Sequence, residues 1–187
     1  MQQVALFLIA ALTSAAPALA QPDVERGFAG VLRGCEEWVL QPASWVDGAE
    51  PFIAAVGLGN EMSLVENVPE VSLPPTELRH GNHYWHVNST EDAGYFLVVS
   101  DQLPMCHITG GGNTDLQPAI EAILASETFG MRWRQISDST REGMITTVFQ
   151  HRENESFSIA ISRARQPNQR LDRVQVLATA TYSTTSR

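Results

Sequence analysis

Phe157-Ser158-Ile159-Ala160-Ile161-Ser162-Arg163 is the stretch that decides the fold class. Large apolar side chains stand at 157, 159 and 161, and small or polar ones at 158, 160 and 162. A β-strand sends successive side chains to opposite faces, so this stretch reads as a strand with one face buried. Strands of that kind belong to antiparallel sheets packed on one side only. Arg173 to Tyr182 continues the pattern after a hairpin loop, Gln166 to Arg170, built around Pro167. Met131 to Ile136 and Met144 to His151 precede it, which makes a run of four strands.

A second group of strands lies upstream. It comprises His83 to Val87, Tyr95 to Val99 and Met105 to Thr109, separated by a turn at Asn88 to Gly94 and by Pro104. Tyr95 to Val99 is almost continuously apolar and is expected at the sheet centre. Each group follows a helical pattern. Asp23 is placed to cap a helix from Val24. There, Val24, Phe28, Val31, Leu32, Cys35, Trp38 and Val39 form one stripe, and Glu25, Arg26, Arg33, Glu36 and Glu37 lie opposite. Gly27, Gly30 and Gly34 border that stripe and point to close backbone packing, and Pro42 ends the helix. After Gly110-Gly111-Gly112, Asp115 caps a second helix that buries Leu116, Ile120, Ile123 and Leu124 and ends near Ser126. Residues 41–82 show no long element, because Pro51, Gly57 and Gly59 interrupt them, and Val68-Pro69 and Leu73-Pro74-Pro75 read as extended. The expected architecture is α+β in the order α-βββ-α-ββββ. It is a single antiparallel sheet of about six or seven strands with two helices packed on one face.

The N-terminus carries an address. Met1-Gln2-Gln3 is followed by an apolar run from Val4 to Leu12, and Ala18-Leu19-Ala20 places small residues where a signal peptidase reads. Residues 1–20 therefore read as a secretory signal peptide cleaved between Ala20 and Gln21, leaving 21–187 as one α+β domain. The 12 basic residues are all arginine, which fits a GC-rich bacterial coding sequence and, with export, a periplasmic or secreted protein. Without lysine there is no Schiff-base, P-loop or Ser–Lys chemistry. A net charge of −9 argues against nucleic acid, and no stretch of the mature chain is long and apolar enough to span a membrane. The charge is uneven: residues 21–130 hold 16 acidic and 3 basic side chains, residues 131–187 hold 5 and 9. The simplest consequence is partial neutralisation of one segment by the other. The alternative is an arginine face for an anionic partner.

Cys35 and Cys106 are the only cysteines, and an oxidising compartment pairs them. The bridge would draw the first helix across the Met105 to Thr109 strand, with Val24, Phe28, Val31 and Leu32 against Phe96 and Val98.

Chemistry-bearing residues are sparse. His80, His83 and His86 have weak metal-site spacing, since on a strand His83 shares a face with Trp85 while His86 points the other way with Tyr84. Ser100, Asp101 and His107 supply the residue types of a relay, but no G-x-S-x-G elbow accompanies them. The glycine run lacks both dinucleotide and Walker patterns, and Asp115 would repel an anion at the helix start. The expected function is that of a non-enzymatic binding or interaction module, with no cofactor. Its partner would be a periplasmic protein or a small anionic ligand. The alternative is a small hydrolase or metal-dependent enzyme using His107 or the His80/His83/His86 cluster.

Overall fold

The computed structural model describes residues 20–171 and 174–182. It is a single α+β domain in which eight strands form one fully antiparallel sheet, and four helices accompany it. Helices α1 (Ala20–Leu40) and α2 (Glu50–Val56) precede strands β1 (Met62–Val65), β2 (Asn82–Asn88), β3 (Ala93–Ser100) and β4 (Met105–Gly112). Helices α3 (Gln117–Leu124) and α4 (Glu127–Arg132) precede β5 (Trp133–Arg141), β6 (Met144–His151), β7 (Phe157–Ala164) and β8 (Val174–Tyr182).

The sheet order is β1-β2-β3-β4-β8-β7-β6-β5, so each half is two helices followed by a four-stranded meander, and the last strands of the halves pair at the centre. The two halves thus share one topology about the β4/β8 junction. What breaks the likeness is the first hairpin of each half. Between β1 and β2 lies the long segment 66–81, whereas β5 and β6 are joined by a tight turn in which Glu142 and Gly143 both adopt positive φ.

A single core fills the space between the helices and one sheet face. Phe28, Val31 and Cys35 of α1, Phe52 of α2, Ile120 of α3 and Ile159 and Ile161 of β7 are all fully buried there. The alternation read at 157–163 is therefore the core-facing row of β7. The glycine border of α1 is confirmed as a packing seam: a Cβ at Gly30 would lie 2.5 Å from Leu58 Cδ1. The Cys35–Cys106 disulfide is formed, with Cα atoms 5.5 Å apart, and ties α1 to β4.

Several expectations need correction. There are eight strands rather than six or seven, and four helices rather than two. Pro51 and Gly57, read as breakers, are the terminators of α2. Pro51 sits at its start and Gly57 caps its end at φ 73°, an asymmetry that suits a short helix. Strand β5 starts at Trp133 because Ser126 caps α4, its hydroxyl accepting from Phe129 N, so Met131 is helical. Helix α1 starts at Ala20, and Asp23 lies in its first turn rather than before it. The side of β3 that meets α1 is also the opposite of that expected. Tyr95, Leu97 and Val99 face the helices, the Tyr95 hydroxyl donating to Val24 O at 3.1 Å, while Phe96 and Val98 belong to the outer face. The parity is set by the disulfide: Cys106 pairs with Val99, so Val99 shares the face that α1 covers. Residues 1–19 of the expected signal peptide lie outside the described residues.

Candidate functional site

The outer face of β3 and β4 is also covered. Val98, Met105, His107 and Thr109 are each at most 1% exposed, although none faces the helices. Segment 66–81, with its prolines, lies over this side and leaves a groove of about 690 Å³. Pro69, Val71 and Ser72 form one wall, and Arg170 and Leu171 of the β7–β8 connection with Val174 at the start of β8 form the other. The floor is His86, Phe96, Thr109 and a patch of glycine backbone, Gly94 and Gly110 to Gly112.

Close packing explains the glycines of this floor: a Cβ at Gly110 would lie 2.5 Å from Tyr95 Cδ1, on the helix-covered side. A Cβ at Gly94 would sit 2.4 Å from Val87 O, and one at Gly112, where φ is 132°, would sit 2.0 Å from Asp92 O. The glycine run is therefore the end of β4, with a register shift between Gly110 and Gly111, and not a free turn. Five polar residues, Ser72, His86, Thr109, Asn113 and Arg170, border a space otherwise lined by apolar side chains and glycine. His86 stacks on Phe96 with ring centroids 4.7 Å apart, and burial lowers its pKa, which keeps the ring neutral near neutral pH. Thr109 Oγ1 is buried without a hydrogen-bond partner. Arg170 donates from Nε to Val174 O at 2.9 Å, which steadies its guanidinium at the rim. Among the described residues lining the groove there is no Asp or Glu, and Arg170 is the only arginine.

A second polar cluster lies on the helix side. Glu36, expected on the solvent face of α1, is only 5% exposed because α4 and Trp133 pack over that side. Its Oε1 accepts from Trp133 Nε1 at 2.7 Å, and its Oε2 pairs with Arg132. His151, also buried, places Nε2 at 4.0 Å from Oε2 and stands edge-on to the Trp133 ring. Burial raises the Glu36 pKa, with Arg132 and the indole N–H opposing it, and burial with Arg132 lowers that of His151. The adjoining cavity of about 270 Å³ is lined by α1, α3, α4 and Trp133, and one of its lining hydroxyls, Ser126 Oγ, donates to Ile123 O at 2.7 Å. The cluster joins α1 to α4, β5 and β6. Arg163 does the same for α3 and β7, donating from Nε to Glu121 Oε1 at 2.7 Å and from Nη1 to Thr147 Oγ1 at 2.8 Å. Arg132 and Arg163 thus neutralise acids of the preceding segment, as the charge distribution suggested.

The residues singled out in the sequence are dispersed. His80 is exposed, His83 faces the helices beside Trp38 and pairs with Asp101 at 3.2 Å, and His86 is in the groove floor. Among the described residues no group of three His, Cys, Asp or Glu side chains could hold a metal ion. Ser100 donates to His80 O and accepts from Gln102 N and Leu103 N, so its hydroxyl is committed to the turn. His107 instead shares a 2.8 Å hydrogen bond with Thr179 Oγ1. Thr109, Arg170, Glu36 and His151 were not singled out. Only the clustering of glycines beside Thr109 signalled the first of them, since the rest meet their partners across the fold. No family model, curated protein or solved structure matches this chain.

Proposed function

We propose that residues 1–20 direct export and that the domain acts outside the cytoplasm as a binding module for a small, largely apolar ligand held in the outer-face groove. The groove carries the reading. Its volume lies within the range of small-molecule sites, its walls are apolar, and a few polar groups converge on it. The buried, unpartnered Thr109 hydroxyl supports it further, because a polar atom left unpaired in a protein interior costs free energy that a ligand can recover. The buried disulfide supports an oxidising compartment. Among the described residues no helix is long and apolar enough to cross a membrane.

The test is titration with a neutral apolar dye, N-phenyl-1-naphthylamine, on the wild type and on a Val71→Asp/Leu171→Asp double variant. Both positions are exposed, at 68% and 36%, so the fold should tolerate the change. Charges on the rim of an apolar site oppose an uncharged apolar guest, and a weakening of about tenfold or more is expected at unchanged melting temperature. Equal dye affinity in both proteins would overturn the assignment of the groove.

A further inference from the structure

We infer that the ligand of this groove is an amphipathic monoanion, an apolar body ending in a carboxylate, with Arg170 as its counter-ion. The inference rests on the reading of the groove as a ligand site and adds the ligand's charge. The chain has a formal charge of −9, and residues 21–130, which supply the floor and one wall, hold 16 acidic side chains. None of those acids lines the groove. Among the described residues the hollow is free of acids, which in so acidic a protein spares an anion the like-charge repulsion it would meet elsewhere on the surface. The guanidinium at its rim is attached through Nε to Val174 O and so is partly oriented before any ligand arrives. His86, whose pKa burial lowers, leaves Arg170 as the one positive charge among the described lining residues, which matches a single anionic group. Phe96, Val71 and Leu171 offer the apolar body its contacts, and Thr109 Oγ1 offers a neutral hydrogen bond beneath it.

The experiment compares three probes of one chain length, decanoate, decanol and decylammonium, by titration calorimetry below their micelle-forming concentrations. Wild-type protein should bind decanoate about tenfold or more tightly than decanol, with decylammonium weakest, the span of one charge-assisted hydrogen bond. Arg170→Gln should weaken decanoate about tenfold or more beyond any change in decanol, a selective loss that a merely structural role for Arg170 would not produce. Equal binding of decanoate and decanol to the wild type, or a parallel loss of both in Arg170→Gln, would overturn the charge assignment alone. Failure of all three probes to bind would overturn the groove itself.

Discussion

His107 makes the stability of this domain depend on pH in a direction that can be worked out from its surroundings. The ring is 1% exposed, its Nδ1 is bonded to Thr179 Oγ1, and its Nε2 is buried without a partner. Burial pushes its pKa from 6.5 down to about 4. The unfolded chain therefore binds a proton that the folded chain refuses between those two values. The stability contributed by the neutral ring is complete above pH 6.5 and is lost as the pH falls toward 4. Linkage sets the loss at about 2 kcal/mol by pH 5 and about 3 kcal/mol by pH 4, relative to pH 8. His86 and His151, also lowered by burial, act in the same direction. Glu36, raised by burial, acts in the opposite direction just above its ordinary 4.5. Urea unfolding at a series of pH values, on the wild type and His107→Gln, isolates the contribution. The variant should retain its stability from pH 8 to pH 5 better than the wild type by about 2 kcal/mol. Parallel profiles for the two proteins would refute the reasoning.

Other outcomes follow from single contacts. Reducing the Cys35–Cys106 bridge, which spans 71 residues of sequence, should cost about 4 kcal/mol in the chain-entropy account and lower the melting temperature markedly; titratable thiols in the native protein would contradict the bridge. Trp133→Phe strips the buried Glu36 carboxylate of its indole donor and should destabilise by about 1–3 kcal/mol in chemical denaturation. Two glycines should behave oppositely. Gly30→Ala drives a methyl into Leu58 and should lose about 1–3 kcal/mol, whereas Gly130→Ala, with open space around it in α4, should gain up to about 1 kcal/mol. For export, N-terminal sequencing of secreted material should begin at Gln21, and a mature chain starting at Met1 would contradict it.

The elements with strong periodicity were legible. Phe157 to Arg163, the α1 stripe and the Cys35–Cys106 pair suffice for an α+β sheet covered by helices on one side. Short elements were not, because α2 and β1 are only seven and four residues long and hold their places through packing against α1 and β2 rather than through local pattern. The face of β3 was misread because Tyr95 to Val99 is apolar at every position, so alternation has nothing to mark; both faces of that strand are largely covered. The groove was illegible for a different reason. It is assembled from residues as far apart as Pro69 and Val174, and the glycine backbone in its floor shows in the sequence only as a cluster with many meanings. Glu36 looked solvent-facing because helical periodicity knows nothing of α4, which arrives some ninety residues later in the chain.

The most direct test of the groove as the binding site is an amide chemical-shift titration of the assigned, isotope-labelled domain with decanoate. Shifts should concentrate at Gly94, Phe96, Thr109 to Gly112, Arg170, Leu171 and Val174, leaving α1 and α4 unmoved. Shifts centred instead on Ala29, Leu32 and Phe129, around the helix-side cavity, would contradict the account.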